Sequence, residues 1–192
     1  MPEFELYDED TAPQDSRATM AAARSRFGFV PNLLAVMAES PQLIKAYAAV
    51  SDLFAATSLS PVEQQVVLLT ASFENECTYC VAAHSTVAEM VSAPAPVIEA
   101  LRTGTPVPDP KLEALRRFTA AVVSGRGRPG PDTVAAFLAA GYSRTHMFEV
   151  LVGVAQKTLS NYTNHMAGTP LDGAFTAHEW TPPPPPHQHQ GA

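Results

Sequence analysis

Apolar residues recur at helical spacing along most of the chain, and signals for helix starts accompany them. Ser40 and Pro41 open a predicted helix that runs to about residue 56. Ser60, Pro61 and Glu63 provide an N-cap, a first-turn proline and a capping-box partner for the next helix. No stretch shows the strict alternation of a strand bounded by turns. The pattern therefore predicts an all-α protein with a single domain.

Five further helices are predicted beyond residue 74. They run from an N-cap at Asn75 to about Val91, from Pro94 to Arg102, from Asp109 onward, from Pro131 to Ala140, and from an N-cap at Ser143 to about Met166. The last of them is apolar on more than one face around residues 150–155, without a clean polar stripe. Such a helix must be covered on several sides, which predicts a homo-oligomer.

The pattern divides the chain into three parts. Residues 1–15 are predicted to form an N-terminal extended arm, and residues 16–172 the helical domain. Residues 173–192 are predicted to be a disordered tail rich in proline and histidine, with five prolines in a row from Pro182 to Pro186. His187 and His189 are interpreted as part of this solvated, low-complexity end.

Composition limits the classes of partner and compartment. The chain has 192 residues and a formal net charge of −7, which argues against nucleic acid or an anionic membrane surface as partner. The acidic N-terminus lacks the features of a secretory signal, and no apolar run approaches the roughly 20 residues that span a bilayer. A cytoplasmic protein is expected. In a reducing compartment, a lone pair of nearby cysteines is more often catalytic or metal-binding than a structural disulfide.

The chemistry of the chain is concentrated in one short segment. Its two cysteines are Cys77 and Cys80, and His84 follows four residues after the second. On a helix, steps of three and four residues place neighbouring side chains on one stripe. Two thiols beside an imidazole are suited to peroxide reduction or to thiol–disulfide exchange.

Local arguments do not decide which cysteine is the thiolate. If Asn75 is the N-cap, Cys77 is the second helical residue, where free N–H groups and the helix dipole stabilise an anion. His84 instead favours Cys80, because it can accept or hold the proton of that thiol. Glu76 also lies four residues from Cys80, and a carboxylate there raises a thiol pKa unless it acts as a base. The two rankings remain open on these grounds.

Four segments together resemble one known family. They are Asn75–His84, Phe27–Leu33, Leu59–Gln65 and Asn161–Asp172. In their order along the chain, they are similar to the alkylhydroperoxidase D-like branch of the carboxymuconolactone decarboxylase superfamily, and specifically to its longer, peroxidase-related members. The resemblance implies an all-α helical bundle in which a helical hairpin carries the two cysteines, with assembly into trimers or hexamers.

The resemblance also implies a mechanism. Cys80 would attack the peroxide and become a sulfenic acid, and Cys77 would then condense with it to a disulfide. An external dithiol, such as a lipoyl or thioredoxin-like reductant, would reduce that disulfide, and His84 would assist proton movement. No cofactor and no metal are implied. The expected function is a thiol-dependent peroxidase that reduces alkyl hydroperoxides in antioxidant defence.

Two positions depart from the family pattern, and one of them is Tyr79, which lies between the cysteines where the family's peroxidases often have a histidine. Gln65 lies twelve residues before the first cysteine, where the family's characterised peroxidases carry a glutamate that acts as a base. A glutamine cannot take that proton at neutral pH. Glu63 and Glu76 are the nearest replacements, although Glu63 is better explained as a capping residue. Restoring the carboxylate with Gln65→Glu is expected to raise the peroxidase rate.

Two alternatives use the same residues. A redox-sensing or scaffold oligomer would keep the cysteines without efficient turnover, which the absent carboxylate favours. A metal site would use Cys77, Cys80 and His84, with His165 as a fourth ligand brought in by the fold.

Overall fold

The computed structural model describes residues 3–183, and this range folds into nine α-helices and one 3-10 helix without a β-strand. The helices are α1 (Gln14–Phe27), α2 (Asn32–Met37), α3 (Pro41–Ala55), α4 (Pro61–Glu74), α5 (Thr78–Met90), α6 (Ala95–Thr103), α7 (Pro110–Ser124), α8 (Pro131–Ala139), α9 (Arg144–Ala167) and the 3-10 helix Gly173–His178. The all-α prediction is confirmed. Within the same range, no helix combines the length and the apolarity needed to cross a membrane.

Four predicted helix starts are confirmed by their side-chain caps, the first of them at Ser40, whose hydroxyl accepts from the N–H of Leu43. The Ser60 hydroxyl accepts from the backbone N–H of Glu63, whose carboxylate accepts from the N–H of Ser60 at 2.8 Å. Asp109 accepts two backbone N–H groups at the start of α7. Ser143 and His146 form the reciprocal pair at the start of α9. These local signals therefore fix where the helices that surround the site begin.

The joint between α4 and α5 differs from the prediction. Asn75 does not cap α5; it ends α4, and Glu76 follows in the left-handed conformation with φ of 52°. The N–H of Cys77 donates to the carbonyl of Ser72 at 2.9 Å and that of Glu76 to the carbonyl of Phe73 at 2.8 Å, which is a Schellman ending. Cys77 itself is the N-cap of α5. The prediction of Asn75 as N-cap was wrong because α4 needs these two residues to close.

The middle of α9 approaches α3 and α4 closely because residue 153 is a glycine. A Cβ atom there would lie 2.7 Å from the Phe54 ring and 2.8 Å from Val67. α9 also packs against α5. The polar residues of its second half are thereby brought to the hairpin that α4 and α5 form.

The buried apolar residues form two clusters. The larger one, here the distal core, is built mainly by α4, α6, α7, α8 and α9, with the stacked rings of Phe118, Phe137 and Tyr142. The smaller one, here the cysteine-side cluster, joins α1, α2 and α3 to Cys77 and Cys80. The two thiols therefore lie in an apolar setting away from the aromatic stack.

The C-terminal segment is ordered beyond the predicted start of the tail at residue 173. After the 3-10 helix, Trp180 is 8% exposed, packs on Phe73 and donates its indole N–H to the carbonyl of Arg102 at 2.7 Å. Phe175 packs against Tyr79. The prediction of disorder was wrong for this part, because the proline-rich composition obscured two aromatic residues that can be buried. Residues 184–192, with His187 and His189, lie outside the described residues.

Candidate active site

The two cysteines share one hydrogen-bond donor. Both are reduced, and each is about 1% exposed. The side-chain amide of Asn164 on α9 donates to Cys80 Sγ at 3.3 Å and to Cys77 Sγ at 3.6 Å. The thiols of the α4–α5 joint are therefore held together by a residue far along the chain.

The environment distinguishes the two thiols electrostatically. Burial alone raises the pKa of Cys80, but a hydrogen bond from Cys77, the charge of Lys157 and hydrogen bonds from Ser160 and Asn161 outweigh it and lower the pKa well below the usual thiol value. The hydrogen bond to Cys80 and burial raise the pKa of Cys77. These directions favour Cys80 over Cys77 as the thiolate of the pair.

Lys157 is the cation of the site. Its side chain is completely buried, and its Nζ lies 2.7 Å from Nε2 of His84. Among residues 3–183, no carboxylate lies within ion-pair distance of it. Burial lowers the pKa of Lys157, but the charges of Cys80, Tyr47 and Cys77 and a hydrogen bond with Cys80 together outweigh it, and the pKa is raised overall.

His84 links the lysine to Gln65. Nδ1 of His84 lies 3.0 Å from Oε1 of Gln65, while Nε2 faces the Lys157 ammonium, which can only donate. Nε2 therefore accepts, and Nδ1 carries the proton and donates to the glutamine oxygen. Burial and the charge of Lys157 hold the pKa of His84 well below its usual value, so the ring is neutral.

Four of the six predicted site residues are brought together, and two are not. Cys77, Cys80, His84 and Gln65 converge with α9, although the expected contact of His84 with Cys80 is replaced by the contact with Lys157. Glu63 is engaged elsewhere: it accepts from Tyr142 at 3.0 Å and pairs with Lys111 at 2.9 Å. Glu76 is exposed on the left-handed turn. Neither glutamate takes the place of the carboxylate that Gln65 lacks.

The contribution of α9 to the site was not predicted from the sequence. Lys157, Ser160, Asn161 and Asn164 contact or polarise Cys80. Their spacing of three, one and three residues places them on one face of a helix. In the sequence, the only signal was a stripe of polar residues on a helix that is otherwise apolar on more than one face, and that pattern does not reveal that Lys157 is buried.

The residues of the metal alternative do not form a ligand set. Within residues 3–183 there is no group of three or more His, Cys, Asp and Glu side chains placed to hold a metal ion. His84 is directed to Lys157 and Gln65, and His165 is exposed near the end of α9.

A second buried cluster connects the site to both ends of the chain. The hydroxyl of Tyr79, which lies between the cysteines, donates to the carboxylate of Asp172 and accepts from the N–H of Leu33 at 3.3 Å. Asp172 also accepts from the N–H of Asn32 at 3.1 Å. Tyr79 therefore joins α5 to α2 and to the C-terminal segment. Its hydroxyl proton is donated to Asp172 and not to either thiol.

Solved structures with the same fold include proteins named for two kinds of chemistry. An uncharacterised peroxidase-related protein with an alkylhydroperoxidase AhpD core, from Ralstonia eutropha JMP134, is 20% identical with a TM-score of 0.81, over 95% of this chain and 100% of that one. A peroxidase-related protein from Silicibacter sp. TM1040 is 16% identical with a TM-score of 0.76, over 91% and 92% of the two chains.

The debrominase Bmp8, as a cysteine-to-alanine variant in complex with 2,3,4-tribromopyrrole, is 16% identical with a TM-score of 0.77, over 93% and 95% of the two chains. No protein-family model matches the chain, and neither does any curated protein. The chain therefore has the alkylhydroperoxidase D-like fold that the sequence resemblance implied.

Proposed function

We propose that the protein is a thiol-dependent peroxidase that reduces alkyl hydroperoxides through Cys80 and Cys77. One observation carries the proposal: a low-pKa thiol lies beside a second thiol that donates to it, and Asn164 holds both. A thiolate is the nucleophile that attacks a peroxide, and an adjacent thiol resolves the product.

The reaction proceeds in three steps. The Cys80 thiolate attacks the terminal oxygen of the hydroperoxide, the O–O bond breaks, and the alkoxide takes up one proton and leaves as an alcohol. Cys80 is then a sulfenic acid, and the Cys77 thiol displaces its hydroxyl as water to form the disulfide. An external dithiol, of the lipoyl or thioredoxin type, reduces the disulfide by thiol–disulfide exchange and is itself oxidised.

The surroundings of the thiols favour an apolar substrate. Cys77 and Cys80 lie in the cysteine-side cluster with Met20, Leu33 and Ile44. Burying an alkyl chain among such residues is favourable by about 0.8 kcal/mol for each methylene group. We expect kcat/KM to be higher for alkyl hydroperoxides than for hydrogen peroxide, and equal values would argue against binding in this cluster.

Two serine variants test the roles of the cysteines. Cys77→Ser should accumulate a trappable sulfenic acid on Cys80 after one equivalent of hydroperoxide, whereas Cys80→Ser should not react. The wild type should lose about two mass units per chain without a crosslinked dimer, because the disulfide is intramolecular. The assignment is reversed if only Cys80→Ser yields the adduct.

A steady-state assay with several dithiols separates an enzyme from a sensor. An enzyme turns over repeatedly, whereas a redox sensor is oxidised once and stops. The likeness to a debrominase adds a second candidate, because a soft thiolate in an apolar site also suits a brominated aromatic substrate. A bromopyrrole in the same assay, followed as bromide release, distinguishes debromination from peroxide reduction.

The proposal includes a homo-oligomer in the cytoplasm, without nucleic acid or membrane as partner. α9 carries four exposed apolar side chains spaced along the helix, namely Phe148, Leu151, Tyr162 and Met166, with exposed fractions of 49–70%. Leu53 on the adjacent α3 is also 66% exposed. Exposed apolar surface of this kind marks an interface. Light scattering should show a trimer or a hexamer, and a monomer at micromolar concentration would contradict the proposal.

A further inference from the structure

Among the described residues, Lys157 is a buried charge whose principal anionic partner is itself a redox group. An ammonium group taken out of water costs several kcal/mol unless an opposite charge compensates it. Within residues 3–183, no carboxylate pairs with Lys157. The charge of Cys80 is the principal group that favours the ammonium form.

The other groups that face Lys157 do not replace that anion. α3 contributes the Tyr47 phenol, and α5 contributes neutral His84 and the Cys77 thiol. α4 contributes Gln65, which is uncharged and contacts His84. α2 has no titratable side chain. On α7, Lys111 and Arg116 form ion pairs with Glu63 and Glu113.

We propose that Lys157 is a redox-coupled proton carrier: it is protonated while Cys80 is a thiolate and gives up that proton when Cys80 is oxidised. The inference rests on the proposed function only in requiring that Cys77 and Cys80 cycle between thiols and a disulfide. Once Cys80 is part of a disulfide, the site holds no anion to offset a buried ammonium, and the neutral amine is the favoured form.

The cycle balances in atoms and charge. Thiolate, ammonium and hydroperoxide give sulfenic acid, neutral amine and alcohol, with the ammonium proton passing to the departing alkoxide. The sulfenic acid and the Cys77 thiol then give the disulfide and water, and the amine stays neutral. An external dithiol returns two electrons and two protons, of which one proton restores the Cys77 thiol and the other restores the Lys157 ammonium. The site is electroneutral at every stage.

Gln65 suits this cycle because an amide can both donate and accept. With Lys157 charged, the Nδ1–H of His84 donates to Oε1 of Gln65. With Lys157 neutral, the histidine can reverse its tautomer and donate from Nε2 to the amine, while the Gln65 amide turns to donate to Nδ1. A carboxylate at residue 65 could only accept, and it would add a permanent negative charge.

The test is the pH dependence of the equilibrium between the full-length protein and dithiothreitol. Dithiothreitol releases two protons on oxidation. If Lys157 gains a proton when the disulfide is reduced, the protein takes up both of these protons, and the equilibrium constant stays constant across neutral pH. If Lys157 remains charged throughout, the protein takes up only one of the two protons and the other is released to solvent. The equilibrium constant for reduction of the protein disulfide by dithiothreitol then rises tenfold per pH unit. Ultraviolet thiolate absorbance in the same samples establishes that Cys80 is ionised.

Two variants calibrate the measurement. Lys157→Arg carries a charge that cannot be lost, so the constant should rise tenfold per pH unit while the thiolate is present. Lys157→Met should lack the thiolate at neutral pH. Lys111→Met, which removes a half-exposed lysine, is the matched control and should behave as the wild type.

Each outcome decides a different statement. A constant equilibrium with the thiolate present supports the inference, and a tenfold slope in the wild type overturns it while leaving the redox pair intact. Failure of the wild type to form any Cys77–Cys80 disulfide overturns the inference and the proposed function together. If a variant does not fold, as judged by circular dichroism, the wild-type slope still decides.

Discussion

Glu63 and Lys157 are both buried charges, but their surroundings are opposite. Glu63, at the start of α4, is surrounded by donors: the backbone N–H of Ser60, the hydroxyl of Tyr142 and the ammonium of Lys111. Lys157, in the middle of α9, has an uncharged imidazole at 2.7 Å and no carboxylate among the described residues.

The difference separates a structural charge from a chemical one. A charge whose partners are all permanent, as at Glu63, stabilises the fold and has no reason to change its protonation state. A charge compensated by a thiolate depends on the chemical state of that thiolate. We therefore assign the proposed chemistry to Lys157 and a structural role to Glu63. The following three predictions test this difference between the two residues.

The largest effect is expected from Lys157→Met. Without the ammonium group, the pKa of Cys80 should return to the ordinary thiol range or above it, because burial is then unopposed. Each unit of pKa removes a factor of about ten in thiolate at neutral pH, so iodoacetamide alkylation of Cys80 should slow by about a hundredfold or more. The free energy of unfolding should be unchanged or higher, since a buried charge is removed.

The assigned chemical role of Lys157 would be contradicted if Lys157→Met lowered the free energy of unfolding and left the alkylation rate of Cys80 unchanged. Such a result would make Lys157 a structural charge like Glu63. Alkylation measured against pH in parallel with urea unfolding distinguishes the two outcomes, with Lys111→Met as the control for loss of a lysine from the other site.

A stability effect without a chemical effect is expected from Glu63→Gln. Removing a charged acceptor from three donors should cost about 1–3 kcal/mol of unfolding free energy and leave the alkylation rate of Cys80 unaltered. Burial raises the pKa of Glu63, but hydrogen bonds from Lys111, Ser60 and Tyr142 outweigh it and lower the pKa to about 2. The folded-state value is below the unfolded one, so the stabilisation is present above about pH 4.5 and is lost as the pH falls toward 2.

The difference in urea unfolding between wild type and Glu63→Gln should therefore shrink between those two pH values. Ser60→Ala is a change at the same cap that keeps the carboxylate and its backbone donor, and its cost of about 1 kcal/mol should show a smaller pH dependence, because it removes only one of the groups that lower the Glu63 pKa. Slower alkylation of Cys80 in Glu63→Gln would show that Glu63 influences the thiol, and would contradict a purely structural role for this residue.

The smallest effect is expected from Gln65→Glu. The sequence alone predicted a faster peroxidase, because a base would be restored. In the structure, Cys80 already has a lowered pKa, and a carboxylate at residue 65 would compete with it for the charge of Lys157 through His84. We now expect the rate at neutral pH to change by less than about tenfold, while the pH profile of alkylation shifts upward. A larger gain in rate would show that proton removal limits the parent protein.

Local signals were sufficient to predict most of the helices, but not where α4 ends and α5 begins. The caps at Ser60, Asp109 and Ser143 lie within a few residues of the groups they satisfy, so the sequence displays them directly. α1 and α2 were not predicted, because α1 buries only Ser16, Met20 and Ala23, and the six residues of α2 are too few to show a helical period although most of them are buried. The ordered segment around Trp180 was missed because its contact partner, Arg102, is distant in the chain.

The candidate site was predictable only where its residues are close in sequence. Cys77, Cys80 and His84 identified themselves by spacing, and the resemblance supplied Gln65. Lys157 did not, because a lysine in a helix is ordinarily solvated, and only the packing of α9 against α5 shows it to be buried. The pairing of His84 with Lys157 spans 73 residues, and no local pattern reports such a contact.

That separation has a consequence for the protein while it is being synthesised. Cys80 leaves the ribosome 77 residues (157 − 80) ahead of Lys157, the lysine that lowers its pKa. Until α9 has emerged and docked, both thiols are ordinary cysteines, mostly protonated at neutral pH and slow to react with oxidants. Because Lys157 follows the cysteines in the chain, Cys80 becomes a reactive thiolate only after α9 has been synthesised and has packed against α5.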